Sequence, residues 1–181
     1  MQTLVSEPLH LADTRCVWLR PPSFEDAPRL VDLCQSISPE SRRRRFLRST
    51  VPCDAREAER LASVDQAERV AVAVVPSPAP DAPIIGVGRF HTDSPRHAEM
   101  ALLVDDPYQG VGLGRLLLNR LADQAFRQGL HVLEGHVFCD NQPMLHLLRT
   151  SGHPVQVRCD GGDVLSVELD VGQPAAIAGT R

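Results

Sequence analysis

The sequence predicts an α+β fold: a mixed, mostly antiparallel central sheet with helices on both faces. Three observations predict it. Two apolar runs, 84–91 and 97–104, flank the short turn 92–96 and read as a hairpin. Leu113, Leu117, Leu121 and Ala125 then repeat at helical spacing, with Leu116 and Phe126 widening the stripe. The C-terminal part returns to strand patterns, 154–158 and 164–169, joined by Asp160-Gly161-Gly162-Asp163. Strands and helices in this mixed order make a layered α+β sheet rather than a regular parallel alternation.

The elements follow in order. Residues 1–14 are expected to be a loose lead-in, 15–171 a single domain, and 172–181 a flexible tail. Arg15 to Arg20 alternates as a first strand, and Pro21-Pro22 ends it. Ser23 caps a helix whose stripe is Phe24, Ala27, Leu30, Val31 and Cys34, with Glu25 and Asp26 in the first turn. Ser38 and Pro39 start a second helix, which runs through Arg42-Arg43-Arg44-Arg45. Those arginines read either as a solvated helix surface or as a contact for an acidic partner or a nucleotide phosphate. Asp54 caps a third helix to about Val64, and 69–75 is a buried strand. Gly86 and Gly88 mark close backbone packing or a bulge. Gly129 stops the long helix, 131–138 is a strand, and Asn141 opens a helix that ends at Gly152.

Composition narrows the function. At 181 residues the chain holds one domain with a real core. A net charge of −4 argues against a nucleic-acid binder that works by bulk charge. No run approaches the roughly 18 to 20 apolar residues of a membrane span, and the N-terminus lacks a signal-peptide pattern. The five cysteines are scattered and never in a Cys-x-x-Cys pair, so no metal site is expected and a cytoplasmic location is. All 19 basic residues are arginine; the chain contains no lysine.

The most informative stretch is Tyr108-Gln109-Gly110-Val111-Gly112-Leu113-Gly114-Arg115. It follows the apolar run Met100 to Val104 and opens the long helix. Its glycines leave main-chain N–H groups uncovered where a helix dipole is positive, which suits phosphate. Arg115 adds a cation at the same end. The spacing is neither Gly-x-Gly-x-x-Gly nor a P-loop. On the residues alone, a flexible turn ahead of a core helix is equally allowed.

The stretch and the element order together resemble the GNAT superfamily of acyl-CoA-dependent N-acyltransferases. That family's loop reads Gln/Arg-x-x-Gly-x-Gly/Ala, and Gln109-Gly110-Val111-Gly112-Leu113-Gly114 matches it throughout. The resemblance covers about residues 15 to 170. It implies acetyl-CoA as acyl donor, with the amides of Val111 to Gly114 on its pyrophosphate. It also implies that the strand 100–104 lies along the pantetheine arm, with a main-chain N–H near Leu103 or Val104 polarising the thioester carbonyl. Asn141 matches the residue that begins the helix beside that arm. Dimers are common in the superfamily.

A narrower likeness is to the Pat-type protein lysine acetyltransferases. It rests on Leu19-Arg20-Pro21, Glu25-Asp26, Ser38-Pro39-Glu40-Ser41-Arg42, Arg45-Phe46 and Ala98-Glu99-Met100-Ala101. It implies a protein lysine as amine acceptor and Glu99 as a general base acting through water. Partial burial between apolar neighbours would raise the pKa of Glu99 toward that role, while a plain surface pairing with Arg96 is the competing reading. Small-amine acetylation and a non-catalytic acyl-CoA sensor are the alternatives. The superfamily's tyrosine acid seven residues after the helix-opening Asn is Leu148 here, and its closing Gly-Phe is Gly152-His153. The leaving thiolate departs unaided, or a histidine such as His136, His146 or His153 substitutes. Tyr108 is the only tyrosine.

The absence of lysine gives a direct test of the lysine-acetylating reading. Incubated with acetyl-CoA, the chain should gain no side-chain acetyl groups. Intact-mass spectrometry that finds acetylation beyond the N-terminal amine would contradict this.

Overall fold

Val70, Val72 and Val74 alternate along one strand with Ala71, Ala73 and Val75, and both sets find apolar partners. A strand buried on both faces must lie inside a sheet covered on both sides. The computed structural model, which describes residues 8–47, 62–159 and 161–173, has that arrangement. Its strands are β1 (Leu9–His10), β2 (Cys16–Arg20), β3 (Arg69–Val75), β4 (Gly86–Ser94), β5 (His97–Val104), β6 (Val132–Phe138), β7 (Val155–Cys159) and β8 (Val164–Asp170). They form one eight-stranded sheet in the order β1-β2-β3-β4-β5-β6-β8-β7. Every neighbouring pair is antiparallel except β5 and β6.

The α-helices that lie wholly within the described residues are α1 (Ala27–Ser36), α2 (Pro39–Phe46), α3 (Leu113–Arg127) and α4 (Gln142–Arg149). Leu118, Leu121, Ala122 and Ala125 of α3 share a core with Leu145 and Leu148 of α4 and with Phe90, Met100 and Leu133 of the sheet. Leu30, Leu33 and Cys34 of α1 pack with Ala73, Val75, Val87 and Leu103, which point to the other face. The expected layering therefore holds. No helix among the described residues is long and apolar enough to cross a membrane.

Gly86 explains how close α3 lies. A Cβ there would sit 2.6 Å from Leu113 Cδ2, so a side chain at this position would have to push the buried Leu113 aside. The chain irregularity lies elsewhere, as a register shift between Thr92 and Ser94. At the far end, the Leu130 N–H reaches the Ala125 carbonyl at 3.0 Å and closes α3 beyond Gly129.

Three expectations change. The lead-in is not loose throughout: Leu9 and His10 pair with Val17 and Cys16, and Leu11 is buried. Phe24 is 69% exposed, because a 3-10 turn at 24–26 precedes α1 and rotates it off the helical stripe. Phe126 is 44% exposed, because Ala122 and Ala125 already fill the core face of that turn. The helix expected from Asp54, and most of the tail, lie outside the described residues.

Asp26 joins β2 to α1. It is 1% exposed. Its carboxylate accepts Arg20 Nη1 and Nη2 at 2.6 and 2.7 Å, the Ser23 N–H at 2.8 Å and Arg29 Nη1 at 3.1 Å. Burial pushes its pKa up, but the Arg20 guanidinium and Ser23 outweigh that and lower it from 3.8 to about 2. A depressed pKa stabilises the fold above the unfolded value, and that stability is lost as pH falls through the folded value. Urea unfolding across acid pH should therefore show a loss of about 2 kcal/mol from this site between pH 4 and pH 2. Asp26→Asn should flatten that part of the profile while lowering stability at neutral pH.

Candidate active site

β5 and β6 pair in parallel over only three positions, His97↔Val132, Ala98↔Leu133 and Glu99↔Glu134. Beyond Glu99, β5 continues on β4 and β6 continues on β8. The two strands part, and the main-chain edge of β5 facing β6 is left without a strand partner. A cleft of ≈ 250 Å³ fills the gap. Glu99 to Val104 form one wall, Gly135 and His136 the other. Ser41, Arg44 and Arg45 of α2 close one face, Asn141, Pro143 and Met144 the opposite one, and Gly110 and Gly114 stand at the end.

The end of the cleft is the N-terminus of α3. Gly110 and Gly112 have φ of 74° and 96°, a region that glycine enters without penalty. Gly112 is the N-cap, and the Leu116 N–H makes the first helical bond, to its carbonyl at 3.0 Å. The N–H groups of Leu113, Gly114 and Arg115 precede that bond and have no intrahelical acceptor. No acidic residue occupies the first turn of α3, so nothing on the helix neutralises its positive end. The Leu113 side chain is wholly buried, which leaves only its main chain to a ligand.

Gln109 lines the cleft as well as bracing the loop, whereas Arg115 does not reach it. The Gln109 N–H bonds the Asp106 carbonyl at 3.1 Å. Its Nε2 lies 2.8 Å from Asp106 Oδ1, 3.1 Å from the Val104 carbonyl and 3.1 Å from Ser41 Oγ. Gln109 thus ties the loop to β5 and α2. The Arg115 guanidinium turns away to Thr150 at the end of α4, donating to its carbonyl at 2.5 Å and its hydroxyl at 2.6 Å. Its cation is used between helices and does not line the cleft.

Asp106 organises the α2 side. Its carboxylate accepts the Ser38 N–H at 2.7 Å and the Ser41 hydroxyl at 2.5 Å. Burial pushes its pKa up, but those bonds prevail and hold it below the usual carboxylate range. On the β6 side, Arg43 lies 3.9 Å over the Phe138 ring and 3.2 Å from Asp140. Residues 42–45 are all half-buried rather than a plain solvated surface, and Arg44 and Arg45 of the run line the cleft.

Glu99 lines the cleft, but it is exposed rather than partly buried. Strand alternation gives the core positions to Ala98 and Met100 and turns Glu99 to the face that α3 does not cover. Among the described residues its side chain makes no ion pair with Arg96. Asn141 caps α4 through Oδ1, which accepts the Met144 N–H at 3.2 Å, so its amide NH₂ is what it can offer a ligand. Leu148 is core. His153 sits by the Asp170 carbonyl at 3.2 Å, and of the three histidines considered only His136 reaches the cleft. Sequence reasoning missed Ser41 and Met144 as lining residues, and Arg44 and Arg45 entered it only as one of two readings of the arginine run. Among the described residues no three His, Cys, Asp or Glu cluster as metal ligands would.

The parted strands and the open helix end make a cleft with a free main-chain edge and an anion-ready end, and comparison with known proteins gives the family. The profile of the Acetyltransferase (GNAT) family matches residues 36–153, and the chain belongs to that family. It is similar to the L-amino acid N-acyltransferase MnaT of Escherichia coli (strain K12), 42% identical over 64 residues, which are 35% of this chain and 37% of that one. Acetyltransferase PA5475 of Pseudomonas aeruginosa is 28% identical over 120 residues, 66% of this chain and 64% of that protein. The chain thus spans less than two thirds of either relative. The crystal structure of the GNAT domain of S. lividans PAT superposes with a TM-score of 0.78 at 26% identity, over 91% of this chain and 96% of that one.

Gly112 tests the loop itself. A Cβ on it would meet nothing within 4 Å, so any cost of Gly112→Ala is backbone strain alone. Urea unfolding should register a loss of about 1–2 kcal/mol. An unchanged midpoint would show that the loop relaxes out of this conformation.

Proposed function

We propose that the chain is an acyl-CoA-dependent N-acetyltransferase that moves the acetyl group of acetyl-CoA directly to a primary amine, a protein lysine, with Glu99 as general base. The parting of β5 from β6 carries this reading. It leaves a main-chain edge for an amide-bearing arm, leading to an un-neutralised helix N-terminus for its phosphates.

The residues present fit acetyl-CoA. The N–H groups of Val111 to Gly114 would hold its pyrophosphate, the edge at Leu103 and Val104 its pantetheine arm, and the Asn141 amide the opposite side of that arm. Bound acetyl-CoA supplies a thioester carbonyl open to attack by a neutral amine. A main-chain N–H near Leu103 or Val104 polarises that carbonyl. Glu99 removes the proton from the incoming ammonium, through water, because it stands where the cleft begins and faces solvent. With Leu148 buried, the thiolate leaves without a side-chain acid from that position.

The lysine acceptor is supported by the Ala98-Glu99-Met100-Ala101 strand and by the 26% identity to the PAT domain over nearly its whole length. The name of the Escherichia coli relative supplies the competing acceptor, a free amino acid. A turnover screen with acetyl-CoA across proteins, lysine peptides, amino acids and polyamines separates the two. Glu99→Gln should lower kcat about 10²- to 10⁴-fold and leave coenzyme A binding nearly unchanged. Normal turnover in that variant removes Glu99 from the mechanism.

A further inference from the structure

The loop at the cleft end is braced from outside by the hairpin of β1 and β2. The turn between them closes through the Leu11 N–H to the Arg15 carbonyl at 2.9 Å and the Thr14 N–H to the Leu11 carbonyl at 3.0 Å. It then reaches the loop at two places. The Ala12 N–H donates to the Val111 carbonyl at 3.1 Å. The Arg15 guanidinium lies 4.2 Å over the Tyr108 ring centroid, and its Nη2 donates to the Pro107 carbonyl at 3.1 Å. Asp13 fixes that guanidinium from behind, accepting Nε at 2.5 Å. Leu11 is buried against Tyr108, Val111 and Leu113.

We propose that Arg15 is a positioning residue for coenzyme A: it holds the segment 107–111 so that the following N–H groups are set before the ligand arrives. The inference rests on reading the loop as the pyrophosphate site. The physical ground is the cost of ordering glycine. Gly110 and Gly112 have free space around them and no side chain to fix them, so their conformational freedom is limited only by what holds their neighbours. With the brace, the loop is ordered on folding. Without it, the same ordering falls on binding and weakens affinity. Ordering about one residue corresponds to roughly a tenfold change. The Arg15 guanidinium is already engaged by the Tyr108 ring, the Pro107 carbonyl and Asp13, so its effect runs through the loop.

The test uses the full chain and coenzyme A, with titration calorimetry and amide hydrogen exchange. Arg15→Ala should raise the Kd for coenzyme A about tenfold. In the free chain, exchange should speed up at the hydrogen-bonded amides of Tyr108, Gln109 and Leu116 and stay the same across the sheet; saturating coenzyme A should restore the native rates. Tyr108→Leu should weaken binding as well, and the double variant should be no weaker than Arg15→Ala alone, because both remove one contact. Arg15→Gln, which lacks the charge over the ring, serves with the same reading should Arg15→Ala not fold. An unchanged Kd, weaker binding without faster loop exchange, or faster exchange spread through the sheet would each overturn the inference. Wild-type chain that fails to bind coenzyme A overturns the pyrophosphate reading itself. Wild-type binding matched by the variant overturns the brace alone.

Discussion

The short parallel pairing of β5 with β6 is the constraint on which the site depends. Three registered pairs bring Glu99 beside Glu134, and then the ladder stops. A longer ladder would satisfy the β5 edge and close the cleft. A shorter one would leave the two halves of the sheet joined by little more than their helices. The break is held open from both ends. Gly86 lets Leu113 of α3 sit hard against β4, and Asn141 starts α4 where β6 ends.

α2 is the second organising element, and it links strands that do not bond each other. On the β5 side it hangs from Asp106, through Ser38 and Ser41. On the β6 side it is attached by Arg43 to Phe138 and Asp140. A planar guanidinium can stack on a ring and pair with a carboxylate at once, which an ammonium does less well. The arginine run is thus spent on several different partners, including the Cys34 carbonyl, which accepts Arg42 Nη2 at 2.9 Å.

Local signals were legible and long-range ones were not. The stripe of α3 and the caps at Ser38 and Asn141 lie within a few residues of what they specify. So do the strands 69–75 and 97–104 and the glycine loop. The parting of β5 and β6 is set by partners more than thirty residues apart in sequence and leaves no local trace. The direction of Arg115 is fixed by Thr150, and the half-burial of the arginine run by Asp106 and Phe138. His136 was weighed only as a lone histidine. Strand alternation from Glu134 puts it on the cleft face, a signal present in the sequence. The same alternation puts Glu99 on the face opposite Ala98 and Met100, where its exposure depends on how far the helices of that face reach.

The two anchorages of α2 differ in kind, and that gives the cleft an asymmetric stiffness. Asp106 is held by neutral donors in a partly enclosed corner, so added electrolyte changes little there. Arg43 is 34% exposed and Asp140 55%, so their attraction weakens as mobile ions gather around them. Ionic strength therefore acts as a one-sided control on the gap. The side of α2 tied to Asp106 keeps its dimensions while the side next to β6 softens and becomes the compliant wall of the cleft.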